Sequence, residues 1–213
     1  MNINERFLVT INRELGTGGR SVGRKLAERL GVRLYDKVLL DGLVKEFGLS
    51  AEQIEELKGR KRGWWADFCD KLSRNSGGMV PESEFPETIS SSDLYKAETR
   101  ILGEIAAEES CVVTGRTAFH VLRSHPNKLR VFLRASMVTR IERVMARQNL
   151  SEAEAAEAIA KVDEGRENYV KRYTGSSRYD ARNYDLVLNM DGLTVDDAVE
   201  VILDYIHRSG EKD

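Results

Sequence analysis

Short apolar runs of strand length alternate with helical patterns along the chain. Residues 7–11, Phe-Leu-Val-Thr-Ile, form a β-branched run that stops at polar residues and a glycine cluster, as a buried parallel strand does. Residues 21–30 carry apolar positions at helical spacing with Gly31 directly after them, which predicts a helix that ends at a glycine cap. A second short strand follows at residues 33–35. The start of the chain therefore predicts a tight β-α-β unit with a right-handed crossover.

The alternation returns in the second half of the chain. Further strands are predicted at residues 111–114, 129–133 and 185–189, and helices at residues 118–123, 136–148, 151–172 and 195–208. Ser151 and Glu154 have the spacing of a capping box, and Thr194 with Asp197 forms a weaker one. The pattern predicts an α/β fold of three layers, with an open, mostly parallel sheet of about five strands between helices. Folds of this class bind ligands beyond the carboxyl ends of their strands.

The middle of the chain has a different pattern. Residues 37–109 are mostly helical, apart from a Gly/Pro/Ser-rich passage at residues 73–92. The change of pattern is typical of a segment inserted into a domain. We therefore expect one domain over residues 1–213, into which residues 37–109 are inserted as a mostly helical lobe.

The charge of the chain constrains its partners. Lys and Arg number 33 against 35 Asp and Glu, so the net charge is −2, which argues against a nucleic-acid-binding surface. One dense basic patch at residues 58–65 includes two tryptophans. We interpret it as a lobe surface or a helix end, with the tryptophans inside the lobe or at a dimer contact. A homodimer therefore stays open, and no nucleic-acid partner is expected.

Cysteine and histidine usage bears on compartment and metals. Cys69 and Cys111 lie far apart, and the three histidines show no ligand spacing, so neither a disulfide framework nor a zinc site is predicted. Residues 1–6 carry no apolar leader, and no apolar stretch reaches the length of a membrane span. These features predict a cytoplasmic protein with no membrane partner.

The first predicted strand leads into a glycine-rich loop. Residues 12–21 are Asn-Arg-Glu-Leu-Gly-Thr-Gly-Gly-Arg-Ser; the glycines let successive N–H groups turn toward one point, and the following helix adds its dipole. This combination predicts a phosphate cradle. The P-loop pattern is met in part, with Arg20 in place of its lysine and Glu14 in place of its first glycine. The alternative is a glycine turn that only lets strand and helix pack closely.

A dinucleotide-binding fold is the natural rival interpretation. Asp36 lies about 20 residues beyond Gly16, where that fingerprint has an acid. The fingerprint itself fails, because its third glycine would fall on Ser21. The arginines that follow also suit several phosphates better than one pyrophosphate.

Arginines occur at positions that suit phosphate binding. Arg116 directly follows an apolar strand, so its forked guanidinium should project toward the glycine loop. Arg140, Arg143 and Arg147 share one face of a helix. Seven further charged residues follow: Lys161, Asp163, Arg166, Lys171, Arg172, Arg178 and Arg182. Apart from Arg116, each such charge taken singly is better interpreted as part of a solvated helical face.

Five stretches of the sequence resemble the cytidylate kinase-like family, a branch of the P-loop nucleoside monophosphate kinases. They are ITINRELGTGGRSVGRKLAERLG with YDK after it, VVTGRTA, LRVFLRASMVTRIERVMAR, IAKVDEGRENYVKRYTG and NYDLVLNMDGLTVDDAV. The resemblance implies a parallel sheet, a monophosphate-binding lobe inserted after the second strand and an Arg-rich lid, placed here at residues 140–182. It also implies Mg²⁺-dependent phosphoryl transfer from ATP to a nucleoside monophosphate, with CMP or dCMP as the first expectation.

The resemblance assigns roles to individual residues. Donor phosphates would lie on Gly16, Thr17, Gly18, Gly19, Arg20 and Ser21, and Ser21 would also reach Mg²⁺. Catalysis would involve Arg20, Arg116, Arg147 and Arg166. The acceptor would contact Asp36, Lys37, Arg100, Arg116 and Thr117. The lid and phosphate clamp would add Arg140 and Arg143, and the metal or substrate would be held with help from Asp36 or Glu14.

Three positions depart from the pattern of the cytidylate kinases. Thr114 stands where they have an acid, Thr117 stands where an aspartate helps to recognise cytosine, and Arg20 stands at the P-loop lysine. Two further functions therefore stay open. One is a nucleotide-binding module that signals to a partner through the inserted lobe, and the other is a kinase for a different small-molecule acceptor.

Overall fold

A computed structural model describes residues 1–36, 91–115 and 117–210 of the protein. The strands in this part of the chain are β1 (Leu8–Arg13), β2 (Arg33–Tyr35), β3 (Cys111–Thr114), β4 (Lys128–Arg134) and β5 (Leu186–Asn189). The α-helices are α1 (Gly19–Leu30), α2 (Ser91–Glu108), α3 (Ala118–Val121), α4 (Met137–Gln148), α5 (Glu152–Thr174) and α6 (Val195–Gly210). Every strand and helix predicted within these residues is present, with bounds shifted by a few positions.

The described strands form one parallel sheet in the order β2-β3-β1-β4-β5. β1 lies at its centre, where Leu8 pairs with Cys111 of β3 and with Lys128 of β4. β3 therefore separates β1 from β2. This order contradicts the dinucleotide-binding alternative, in which the second strand lies beside the first. It also brings the ends of β1, β3 and β4 to one edge of the sheet.

Apolar layers cover both faces of the sheet. Val9 and Ile11 of β1 face a core shared with α1 and α6, where Leu26 and Ile202 are fully buried. Leu8 faces the opposite layer, to which α2 and α3 contribute. The period of two along a strand sends successive side chains to opposite faces. A three-layer α/β domain results, as the sequence predicts.

α2 lies within the range predicted as the inserted lobe, yet it packs on the sheet. Its residues Ala97, Ile101, Leu102 and Ile105 are at most 1 % exposed and share a core with Tyr35 of β2. The last part of the range 37–109 therefore belongs to the main domain, because α2 carries an apolar stripe that must be buried. The remainder of the predicted lobe, residues 37–90, lies outside the described residues.

α4 and α5 form a helix pair within the range predicted as the lid. The capping box at Ser151 and Glu154 is present and starts α5. Val144 of α4 packs against Ala155 and Ile159 of α5 in a small core that also contacts the glycine loop. The pair thus has a core of its own and a fixed attachment to the main domain. None of the described helices combines the length and apolar character that crossing a membrane requires.

Candidate active site

The loop between β1 and α1 has the backbone of an anion cradle. Gly16 and Gly18 have φ angles of +90° and +77°, which favour glycine. A β-carbon at Gly16 would lie 2.8 Å from the carbonyl oxygen of Arg140, so the loop passes close to α4. No side chain caps the start of α1, and its first turn has no acidic residue. The positive end of the helix dipole is therefore open to an anion.

Two side chains of the loop stabilise its conformation. The Thr17 hydroxyl is fully buried and donates to the carbonyl of Glu14 at 2.8 Å. The Glu14 carboxylate accepts the backbone N–H of Ala135 at 3.1 Å and lies 3.5 Å from Nη1 of Arg140. Both residues support the loop. The Glu14 carboxylate is engaged in these contacts, and the expectation that it helps to hold the metal or substrate stays a prediction.

Asp163 of α5 joins the loop to several arginines. Its Oδ1 accepts the backbone N–H of Leu15 at 3.0 Å, and its Oδ2 accepts a hydrogen bond from Arg140. Arg166 and Arg178 approach Oδ1 at 3.4 and 3.5 Å. Arg140 also donates from Nε to the carbonyl of Leu15 at 2.7 Å. Arg140, expected to clamp phosphate, is instead a buried support for the loop.

Arg178 and Asp163 contradict the interpretation of these charges as a solvated face. Arg178 is 0 % exposed and Asp163 is 6 % exposed. The guanidinium of Arg178 donates to the carbonyl of Arg13 and lies over the rings of Phe132 and Tyr179. Burying a charge is costly unless it is paired and hydrogen-bonded, and the carboxylate of Asp163 supplies that pairing.

Arg13, the last residue of β1, is a site residue that the sequence analysis does not select. Its side chain runs between two glycines: a β-carbon at Gly19 would lie 2.7 Å from its Cγ, and one at Gly115 would overlap its Nη1. Burial, together with the like charges of Arg166 and Arg178, lowers the pKa of Arg13 to about 9. The group keeps its charge at neutral pH, but that charge is poorly compensated.

Two clefts meet at Arg13. The smaller, about 240 Å³, lies at the glycine loop and is lined by Gly16, Gly18, Gly19, Arg20, Arg143 and Arg147, among others. The larger, about 470 Å³, lies against α5 and is lined by Asn12, Gly115, Lys161, Gly165 and Tyr169, among others. Arg13 and Arg166 line both. The shared wall therefore carries two positive charges.

Four of the six predicted donor residues, Gly16, Gly18, Gly19 and Arg20, line the smaller cleft. Ser21 is exposed on the first turn of α1 and Thr17 is buried, and neither of them lines this cleft. Arg20 pairs with Asp36 through Nε and Oδ2 at 2.8 Å. Arg147 is exposed at the rim, whereas Arg143 also donates to the carbonyls of Met190 and Leu193.

The predicted acceptor residues are less well gathered. Arg100 pairs with Glu104 on α2 at 2.9 Å, and Thr117 is 1 % exposed at the start of α3. Neither lines the clefts described above. Lys37 and Arg116 lie outside the described residues, so their roles stay predictions.

The end of β3 offers no carboxylate. Thr114 is 0 % exposed, and a β-carbon at Gly23 would overlap its Cγ2 methyl. Among the residues that the structure describes, no group of three His, Cys, Asp or Glu could hold a metal.

The sheet order, the glycine loop and the helix pair with its arginines define a P-loop kinase. The chain belongs to the cytidylate kinase-like family, whose profile matches residues 8–192. The resemblance stated from the sequence is thus confirmed.

Three comparisons show how far the likeness extends. The cytidylate kinase of Pyrobaculum aerophilum is 25 % identical over 93 % of this chain and 91 % of that protein. The solved structure of an uncharacterized protein from Eubacterium ventriosum has a TM-score of 0.71 and 26 % identity, covering 95 % of this chain and 99 % of the other. A gluconokinase from Sinorhizobium meliloti has a TM-score of 0.52 at 18 % identity, covering 98 % and 97 %. The last of these shows the shared fold alone.

Proposed function

We propose that the protein transfers the γ-phosphoryl group of ATP to a nucleoside monophosphate, with CMP or dCMP as the first candidate acceptor. The observation that carries the proposal is the pair of adjoining clefts with Arg13 and Arg166 in their shared wall. A donor and an acceptor bound there would both place phosphates beside these charges. Family membership supports the reaction class, and the cytidylate kinase of Pyrobaculum aerophilum suggests the acceptor.

The smaller cleft suits the donor. Its glycines expose backbone N–H groups, and the open start of α1 adds a favourable dipole. Magnesium would be held by the Ser21 hydroxyl and by phosphate oxygens, and when bound it neutralises phosphate charge. Arg20 and Arg147 would add positive charge around the phosphates, in the manner of arginine contacts in other phosphoryl-transfer enzymes.

The reaction requires little covalent chemistry from the protein. The bond between the γ-phosphorus and the bridging oxygen breaks, and its electron pair leaves with ADP. A phosphate oxygen of the acceptor forms the new bond to phosphorus. Because that oxygen is already anionic, no proton has to be removed from it, and the step needs no general base. The rate acceleration would come from positioning of the two substrates and from neutralisation of phosphate charge.

The test is a coupled ADP-release assay with MgATP and a panel of nucleoside monophosphates. We expect acceptor-dependent turnover that Arg20→Ala and Arg116→Ala abolish. Arg29→Ala is the matched control, since Arg29 lies at the far end of α1 and pairs with Glu200 on the surface. Tight binding of ATP without turnover on any acceptor would favour the nucleotide-binding module instead.

One observation favours a kinase for a different acceptor. Thr117, at the position where cytidylate kinases have a base-recognising aspartate, is 1 % exposed and lines neither cleft. The same assay, extended to small polyols and sugar acids, separates the candidates. Transfer to a hydroxyl acceptor, with no transfer to monophosphates, would establish this second function.

A further inference from the structure

Arg13 differs from the other arginines at the clefts in what its side chain contacts. Arg140, Arg166 and Arg178 approach the Asp163 carboxylate, and Arg20 pairs with Asp36. Among the described residues, no carboxylate lies within ion-pair distance of the Arg13 guanidinium. A charge that is largely removed from water and left unpaired is unfavourable. An anionic ligand would supply the missing partner.

The position of the Arg13 side chain is fixed from both sides. Gly19 and Gly115 leave room for it, and each would collide with it if it carried a β-carbon. Its own carbonyl accepts hydrogen bonds from Arg166 and Arg178. The main chain and side chain of Arg13 therefore have separate tasks. The carbonyl ties β1 to the lid, and the guanidinium remains available for a ligand.

We propose that Arg13 is a catalytic residue that contacts the terminal phosphoryl group of the donor while that group passes from the smaller cleft to the larger. The inference rests on the proposed phosphoryl transfer. A forked guanidinium binds phosphate oxygens in pairs, and the wall shared by the clefts is the place that the transferred group must cross. Arg166 lines the same wall, but one of its nitrogens is occupied by the Arg13 carbonyl and by Asp163.

The closing experiment compares the affinity for MgATP with that for MgADP by calorimetry. The wild type is expected to bind MgATP about tenfold more tightly, the size of one good charge-assisted contact. Arg13→Gln removes the guanidinium and should bring the two affinities together while leaving MgADP binding within about threefold. Arg29→Gln, the surface control, should keep the wild-type ratio. In the coupled assay, Arg13→Gln should lower kcat by about 100-fold or more.

Each outcome is decisive. Retention of the MgATP preference in Arg13→Gln, or its absence in the wild type, would overturn the role of Arg13. A wild type that prefers MgATP but transfers phosphate to no acceptor would refute the proposed function. The contact between Arg13 and the terminal phosphate would then be judged from the binding measurements alone.

If Arg13→Gln does not fold, Gly115→Ala displaces the guanidinium instead. Guanidinium ion at low millimolar concentration should restore MgATP preference to Arg13→Gln, which loss of a merely structural residue would not allow.

Discussion

At the residue scale, the carboxylate of Asp163 holds together several parts of the candidate active site. It neutralises Arg140 and Arg178, which are themselves buried, and it fixes the backbone N–H of Leu15. Removing one partner of a buried ionic group leaves the others without compensation. The glycine loop and the helix pair of α4 and α5 are both attached to this residue, so its loss would affect both.

We expect Asp163→Asn to destabilise the protein by about 3–5 kcal/mol, because it keeps the shape but leaves buried arginines without a counter-charge. Urea unfolding followed by circular dichroism measures the change. The control is Asp204→Asn, since Asp204 pairs with Arg208 on the exposed face of α6, and the loss of so exposed a pair should change stability little. Equal effects of the two substitutions would refute a special role for Asp163.

The residue scale is also where sequence-based prediction reaches its limit. The glycines at 16, 18 and 19 and the arginine at 20 could be selected because they form part of a P-loop pattern, and Arg147 could be selected through the family resemblance. Arg13 could not, since its role arises from Gly19 and from Gly115, about 100 residues later in the chain. The one available signal is a charged residue at the end of an apolar strand, the same signal that selects Arg116.

At the scale of elements, the packing of α1 against β3 depends on a small residue. Gly23 faces the Thr114 methyl so closely that a β-carbon would overlap it. We expect Gly23→Ala to destabilise the protein by about 1–3 kcal/mol, since the cost of overpacking outweighs the gain in helix propensity. Thr114→Ser removes the methyl, so the double variant should recover much of the loss. Thermal unfolding measures all three.

Gly103→Ala is the matched control for that prediction. Gly103 also lies inside a helix, but nothing is within 4 Å of the β-carbon that alanine would add. The substitution should stabilise the protein by about 0.5–1 kcal/mol. If Gly23→Ala behaves in the same way, close packing at Thr114 is refuted.

The edge of the sheet supplies a pH-dependent contact between elements. Asp185, just before β5, accepts the backbone N–H and the guanidinium of Arg130 on β4. Burial would raise the pKa of Asp185, but these hydrogen bonds outweigh it and the pKa is lowered. The contact therefore stabilises the protein above about pH 4, which is the pKa of an aspartate in the unfolded chain. This stabilisation is lost as the pH falls through the lower pKa that Asp185 has in the folded protein.

Asp185→Asn tests this contact. The variant should be less stable than the wild type at pH 7, and the difference should shrink as pH is lowered from 5 to 3. Urea midpoints at several pH values measure it. A difference that stays constant across this range would show that ionisation of Asp185 is not involved.

The bounds of most elements could be predicted from periodicity, and their order in the sheet could not. β1 and α1 follow directly from local pattern and the glycines between them. β3 lies between β1 and β2, and the apolar stripe of α2 packs against residues of β2 and β3, so this arrangement depends on contacts between distant parts of the chain. The helical pattern at residues 91–108 is visible in the sequence, but nothing local distinguishes a helix of the lobe from one of the main domain.

At the scale of the whole molecule, charge is distributed unevenly. The net charge is −2, yet arginines dominate the glycine-loop cleft and its wall. Clefts lined by one sign of charge concentrate the field toward ligands of the opposite sign. The molecule should therefore bind polyphosphates at this cleft in spite of its overall negative charge.

Inorganic tripolyphosphate tests the prediction without requiring turnover. A ligand at 100 times its Kd stabilises the folded state by about 2.7 kcal/mol, so the Tm should rise with tripolyphosphate concentration. Sulfate at equal ionic strength is the control, and Arg147→Gln should weaken the shift. A sulfate effect as large as that of tripolyphosphate would show only general ion stabilisation.

The attachment at Asp163 also links the two clefts through one helix. α5 has 23 residues, of which Asp163 is the twelfth, and at 1.5 Å per residue the helix is about 35 Å long. The midpoint of α5 is held to the glycine loop, and beyond it Tyr169 bonds to Glu98 and Val170 packs against Phe132 and Tyr184. Arg166 lines the smaller cleft as well as the larger one. A displacement of this helix would therefore change both clefts together.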